Sequence, residues 1–197
     1  MILKWLLKNK SDIFLWGFIL IILFSPNAKS WVLRQIMRTG FFNAQIENTD
    51  SLKPDSNNKI SEFYFSNEQG EVKSIEELRG NVIFINFWAS WCPPCRAEFP
   101  SILSFYNQYK NKDNIYFLFI NEDKDVHSAQ KYLTKEKYHI PIFRLQSSIS
   151  DKIYSGVLPT TLIVDKSGHI RLRHEGFSNY DSKRFFTQID NLLQEPF

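Results

Sequence analysis

The feature that most constrains this chain is a Cys-Pro-Pro-Cys run, Cys92 to Cys95, entered from an apolar stretch and left through a helical pattern. Val82 to Phe87 is nearly all apolar, as expected of a strand buried on both faces. Phe99, Ile102, Leu103 and Tyr106 then recur at i, i+3, i+4 and i+7, the spacing of one helix face. The order strand, Cys-x-x-Cys, helix puts Cys92 at the N-cap and Pro93 at the first helical position, where a missing N–H costs nothing. Free N–H groups and the dipole at a helix start stabilise negative charge. A thiolate therefore forms more readily at Cys92 than on a free cysteine, and the thiolate is the attacking species. Cys95, one turn on, can resolve a mixed disulfide formed at Cys92. Pro93 and Pro94 remove two backbone donors and stiffen the loop between the sulfurs.

Three other uses of the pair compete with redox chemistry: a structural staple, half of a metal site, or two inert buried thiols. A staple across four residues closes almost no loop and adds little stability. A zinc site needs about four ligands, and no second Cys or His pair lies at ligand spacing. His127, His139, His169 and His174 are scattered and read as surface residues. With two cysteines in the chain there is no disulfide framework. Redox chemistry is the reading favoured, and no metal ligand is assigned. A net charge of +3 is too mild to argue for a nucleic-acid partner, and 43% hydrophobic residues over 197 supply a core for one domain with an extension.

The extension is N-terminal. Lys4, Lys8 and Lys10 flank an apolar run from Ile13 to Phe24, the pattern of an export signal. The run is short for a membrane span, which takes about 20 residues. Trp31, Val32, Leu33, Ile36 and Met37 then form an apolar patch with Arg34 and Arg38, suited to an interface. Ala28-Lys29-Ser30 would fit a cleavage site, so a removable signal is the rival of an uncleaved anchor. The anchor is favoured, with the N-terminus in the cytoplasm and the Cys-x-x-Cys domain outside. This divides the chain into an anchor and interfacial segment over 1–42, a polar linker over 43–59, and a domain over 60–197.

Within the domain, Glu62 to Phe65 reads as a strand, Asn67 to Gly70 as a turn, and Val72 as the start of a return strand. Ile75 to Leu78 makes one helical turn, ended by Gly80. Val82 to Trp88 is the central strand, and the motif helix runs to about Lys110 with Pro100 expected to kink it. Ile115 to Ile120 is a second apolar strand. Asp123-Lys124-Asp125 caps a helix to about Tyr138, with Val126, Ala129, Tyr132 and Leu133 inward. Pro141 to Leu145 is extended, and Ile149 to Tyr154 is a helical turn. Thr160 to Val164 and His169 to Glu175 form a hairpin, and a last helix from Asp181 carries Phe185, Phe186, Ile189, Leu192 and Leu193 on one face. Alternating strands and helices imply parallel pairing early and antiparallel pairing late: an α/β fold with a mixed central sheet flanked by helices.

Phe87-Trp88-Ala89-Ser90-Trp91-Cys92-Pro93-Pro94-Cys95-Arg96-Ala97-Glu98-Phe99-Pro100 resembles the active site of the thioredoxin superfamily, in particular its membrane-tethered TlpA/ResA-type thiol–disulfide oxidoreductases. Val157-Leu158-Pro159-Thr160-Thr161 resembles that family's cis-proline segment. The helix over 124–138 matches the helix this branch inserts, and the preceding hairpin its N-terminal addition. The resemblance covers about residues 60–195. It implies a thioredoxin-like fold with an N-terminal hairpin and an inserted helix, preceded by an N-terminal membrane anchor.

The resemblance also implies roles. Cys92 attacks and Cys95 resolves, the redox-active Cys92–Cys95 disulfide serving in place of a cofactor. Pro159 is the cis proline, and Leu158 before it offers its backbone to a substrate strand. Trp91, Pro93 and Pro94 shape the surface around Cys92. Glu98 matches a glutamate implicated in proton handling. A partly buried carboxylate there could have a raised pKa and exchange a proton with Cys95; as a solvated acid it would only favour the helix dipole. Asn86 stands where thioredoxin has a buried aspartate and cannot act as a base, so Glu98 or water must take that part. Arg96 reads as a solvated helix residue and Trp88 as packing. The implied activity is reduction of disulfides in exported proteins, for example apocytochrome c. Electrons would come from a transmembrane thiol reductase. The implied location is the inner membrane, with the catalytic domain on the periplasmic side. The same chemistry run in reverse, as an oxidant or isomerase of folding exports, and a tethered peptide-binding module are the alternatives. A peroxidase is disfavoured, because the Pro and Thr such sites place before their cysteine are missing.

Overall fold

The computed structural model describes residues 16–17, 25–37, 40, 42–46 and 58–197. Lys4, Lys8, Lys10, Arg38 and all of the Ile13–Phe24 run except Trp16 and Gly17 lie outside them, as does most of the expected linker. Among the described residues no helix is long and apolar enough to cross a membrane.

The elements, in chain order, are α1 (Pro26–Met37), β1 (Tyr64–Ser66), β2 (Val72–Ser74), a 3-10 turn (Ile75–Leu78), β3 (Val82–Trp88) and α2 (Pro93–Tyr109). Then come β4 (Ile115–Asn121), α3 (Val126–Glu136), β5 (Arg144–Leu145), β6 (Thr160–Val164), β7 (Ile170–Glu175) and α4 (Lys183–Gln194). The central sheet has the order β4-β3-β6-β7. β3 pairs parallel with β4 and antiparallel with β6, and β6 pairs antiparallel with β7, so the sheet is mixed as expected. The N-terminal hairpin does not extend it. β1 pairs with β2 and with β5, making a separate three-stranded sheet.

β3 shows how the layers arise. All seven of its residues are buried, and successive side chains point to opposite faces. Val82, Phe84 and Trp88 enter one core with Phe99, Ile102 and Phe105 of α2, Tyr132 and Leu133 of α3, and Phe185 and Ile189 of α4. Ile83, Ile85 and Phe87 enter a second core with Phe63 and Phe65 of the hairpin region, Ile75, Leu78, Ile153 and Tyr154. Helices thus cover one face of the sheet and the hairpin layer the other. Phe84 anchors the helical side, its ring centroid 5.3 Å from Phe105 and 5.6 Å from Tyr180. Phe87 stacks on Tyr154 at 4.1 Å on the opposite side.

Side chains cap three of the helical starts. Ser74 and Glu77 form a capping box on the 3-10 turn. Asp125 caps α3 through the His127 N–H, and Ser182 caps α4 through the Phe185 N–H. α3 ends at Lys137, which takes the left-handed conformation usually left to glycine. The residues before the domain are not separate from it. α1 packs along α2 through specific hydrogen bonds, and residues 42–46 are tied to the stretch before α4. The Ala44 N–H donates to the Asn179 carbonyl and the Asn179 N–H to the Phe42 carbonyl. Ala44 and Ile46 are buried in the helical-side core. At residues 43–46, then, the expected linker is bonded to the domain. Ala44 and Ile46 have apolar surface to bury, and the edge near Asn179 has backbone groups to pair.

Candidate active site

Cys92 and Cys95 form a disulfide at the start of α2. Cys92 is the N-cap, with extended backbone, and its Sγ accepts the Cys95 N–H at 3.2 Å. Pro93 and Pro94 fill the first two helical positions, so two of the N–H groups a helix leaves unsatisfied are absent. The pair is nearly sealed from solvent: Cys92 is 3% exposed and Cys95 not at all. Trp91 beside it is 62% exposed, while Trp88 is buried edge-on against Phe99. Trp91 is thus a surface group at the disulfide and Trp88 a packing group.

The Leu158–Pro159 peptide bond is cis. Pro159 is buried at the entrance to β6, and half-buried Leu158 packs against the core that includes both cysteines. Val157 next to it is exposed. Trp91, Val157 and Leu158 therefore bring apolar surface to the disulfide end of the domain.

Glu98 lies one turn beyond Cys95 on α2 and is fully buried. The pleat of β3 explains what it meets: Asn86 shares the even-numbered face turned toward α2. Asn86 Nδ2 donates to Glu98 Oε1 at 2.9 Å and to Thr161 Oγ1 at 2.9 Å, Thr161 being its partner across β6. The Ser178 N–H donates to Glu98 Oε2 at 3.3 Å. Burial raises the Glu98 pKa to about 8, against the pull of those two hydrogen bonds. Burial thus favours the protonated form of this carboxyl up to about pH 8, beneath the active-site helix.

The sequence reading missed several residues that hold this end together. Asp123 does not cap α3; that falls to Asp125. Its buried carboxylate instead accepts the Ser90 N–H at 3.0 Å, the Ser90 hydroxyl at 3.0 Å and Asn121 Nδ2 at 2.8 Å. Those bonds fix the approach to Trp91 and Cys92 from the end of β4. Arg96, expected to be solvated, lies 4.9 Å over the Tyr132 ring and hydrogen-bonds Asn27 of α1. No sequence periodicity couples β4 to Ser90 or α1 to α2, because both are long-range contacts. His127 and His139 are exposed as expected, whereas His169 and His174 are half-buried. Among the described residues no cluster of His, Cys, Asp or Glu could hold a metal ion.

The redoxin family model matches residues 54–189 of the chain, more than half of its length. The chain belongs to the redoxin family. Within it, the chain is ResA-like. It is 30% identical over 111 residues to the thiol-disulfide oxidoreductase ResA of Geobacillus kaustophilus, covering 56% of this chain and 63% of that one. It is 26% identical over 154 residues to the thioredoxin-like protein YneN of Bacillus subtilis, covering 75% of this chain and 91% of that one. The chain spans a little under two thirds of the length of the Geobacillus kaustophilus ResA and of two further ResA proteins it is similar to. Among solved structures, a Chlorobium tepidum protein provisionally assigned as the thiol:disulfide interchange protein DsbE superposes with a TM-score of 0.58. It is 28% identical, with 69% of this chain and 96% of that one covered. A Bacteroides fragilis thiol-disulfide oxidoreductase superposes with a TM-score of 0.55 at 25% identity, over 68% and 98%. The redoxin fold here is thus thioredoxin-like, and it carries a Cys-x-x-Cys pair, Cys92 and Cys95, at the start of α2.

Proposed function

We propose that the chain is a thiol–disulfide oxidoreductase working as a reductant of disulfides in exported proteins. The observation that carries this reading is Cys92 as the N-cap of α2, its Sγ receiving the Cys95 N–H. In the reduced protein the same N–H and the helix start favour a thiolate at Cys92. That thiolate attacks one sulfur of a substrate disulfide, forming a mixed disulfide and releasing one substrate thiolate. Cys95 then gives up its proton and attacks Cys92 Sγ, releasing the second substrate thiolate. The substrate gains two electrons and the Cys92–Cys95 bond re-forms. Glu98, one turn from Cys95, takes that proton in its ionised form, whose share burial keeps small at neutral pH and which grows as the pH rises toward about 8. Trp91, Pro93 and Pro94 present the apolar surface around Cys92, and the Leu158 backbone before Pro159 pairs with the extended substrate.

Apocytochrome c, whose thiols must be free for haem attachment, is the substrate class we favour. A transmembrane thiol reductase resets the pair, and no bound cofactor is required. The N-terminal segment anchors the protein in the inner membrane, N-terminus in the cytoplasm and the redox domain on the periplasmic side. The names of the ResA and DsbE relatives support the chemistry, and the lysine-flanked apolar run supports the location.

The direct test is disulfide reduction of a model protein substrate, insulin, by the dithiol form. Cys92→Ser should abolish turnover, and Cys95→Ser should trap a mixed disulfide. A Cys92→Ser protein reducing insulin at the normal rate would sink the mechanism. The direction of electron flow is read from the reduction potential. A value near about −270 mV fits a reductant and one near about −120 to −180 mV an oxidant or isomerase.

A further inference from the structure

Helix α1 bonds to the active-site helix at two carbonyls, and both choices have a reason. Pro100 sits inside α2 and has no N–H, so the carbonyl of Arg96, four residues earlier, loses its helical partner. Arg34 of α1 supplies one: its Nη2 donates to the Arg96 carbonyl at 2.9 Å. One turn closer to the disulfide, the Ser30 hydroxyl lies 2.9 Å from the Pro93 carbonyl and 2.8 Å from that of Pro26 in its own helix. Ser30 is 3% exposed. Arg96 in turn bonds Asn27 of α1. The first two turns of α2, which set the surroundings of Cys92, are therefore gripped from outside at Pro93 and Arg96.

The groups that face this contact are known from each element packed on it. From α2 there is Arg96, from α3 and its end Tyr132 and Tyr138, and from α1 Arg34 itself. Arg34 and Arg96 act on both tyrosines as nearby positive charges, against the burial that raises their pKa values. Glu136 of α3 acts on the tyrosines as a negative charge, and Asp181 lines the same cleft as Arg34. The contact thus places a guanidinium on a main-chain carbonyl of α2 one turn past Cys92. A cation there adds to the positive potential at the helix start, which is the potential that favours a thiolate.

We infer that Ser30 and Arg34 are positioning residues of the redox site: by holding the first turns of α2 through the Pro93 and Arg96 carbonyls, α1 tunes the nucleophilicity of Cys92. α1 begins two residues after the end of the Ile13–Phe24 run in the sequence. The inference rests on Cys92 being the attacking thiolate, as proposed above.

The test is the pH dependence of Cys92 alkylation by iodoacetamide in the reduced full-length protein, with Cys95 replaced by serine so that one thiol reports. The reference protein should titrate well below an ordinary cysteine, whose pKa is about 8.5. Arg34→Gln should move its midpoint up by about half a pH unit, roughly a threefold loss of rate below the midpoint. Arg34→Lys, which keeps a cationic donor, should hold the reference midpoint. Near-UV circular dichroism reports whether each variant is folded. If Arg34→Gln does not fold, Ser30→Ala carries the same test, with an upward shift expected. A folded Arg34→Gln or Ser30→Ala protein with an unmoved midpoint overturns the inference. So does an Arg34→Lys protein that behaves like Arg34→Gln. A reference midpoint no lower than an ordinary cysteine's would instead strike at the attacking role of Cys92.

Discussion

At the scale of single residues, Glu98 is a carboxyl whose ionisation is coupled to the fold across the neutral pH range. Its folded pKa of about 8 lies above the ordinary 4.5, so the native state binds that proton more tightly than the unfolded chain. Below about pH 4.5 both states are protonated and the native state bears no penalty. From there to about pH 8 the unfolded chain sheds the proton first, and stability falls by about 1.4 kcal/mol per pH unit from this residue. The whole span is worth on the order of 5 kcal/mol. Glu98→Gln should flatten this slope, seen as urea midpoints that no longer fall between pH 5 and 8 relative to wild type; equal slopes in the two proteins would show that Glu98 ionises freely. On the proposed mechanism the same substitution removes the group that takes the Cys95 proton, so the pH profile of disulfide reduction should change as well. Glu98 was legible in the sequence as a residue one turn from Cys95. Its depth was not, because burial is decided by Asn86, Thr161 and Ser178, up to 80 positions away.

Among the elements, α2 and α3 show what local sequence can and cannot specify. α2 continues to Tyr109 through Pro100, since its apolar face is held by Phe84, Phe117 and Phe185 around Phe105, with ring centroids 5.1–5.3 Å away. Tertiary packing outweighs one lost helical bond, whose carbonyl Arg34 satisfies. Phe105→Ala should cost about 3–5 kcal/mol, read from urea unfolding; a loss under about 1 kcal/mol would mean the core collapses around the gap. α3 ends at Glu136, two residues before the expected Tyr138, and its cap residue has an unfavourable backbone. Lys137 adopts φ 59°, a conformation that carries a penalty for any side chain with a Cβ. Lys137→Gly should stabilise the protein by about 0.5–1 kcal/mol, and a lower thermal midpoint would contradict this.

Taken as a whole molecule, the redox potential and the folding stability are one quantity seen twice. If the fold favours the Cys92–Cys95 bond over the free thiols more than the unfolded chain does, the pair is hard to reduce and serves as a reductant. A strongly oxidising pair is one whose reduced form the fold stabilises. Reading the protein as a reductant therefore predicts that the oxidised form unfolds at higher urea than the dithiol form at pH 7. A reversed order would make it an oxidant. The end of the domain that carries the disulfide is assembled from α2, the cis Leu158–Pro159 bond, the Asp123–Ser90 bonds, α1 and the 42–46 segment. Perturbations at any of these sites reach the same two sulfurs.

The sequence by itself determined the redox motif, the N-cap position of Cys92, the strand and helix order, and the parallel-then-antiparallel pairing of the main sheet. These follow from local chemistry: apolar periodicity, capping side chains and proline at a helix start act over a few residues. Only the tertiary structure decided that the hairpin pairs with β5 rather than extending the main sheet. It alone set Asp123 to hold Ser90 and enclosed Glu98 with Asn86 and Ser178. It also docked α1 and residues 42–46 on the domain. Each of these joins residues far apart in the chain, where the deciding terms are burial and the need to satisfy a particular carbonyl or carboxylate, and neither leaves a periodic trace in the sequence.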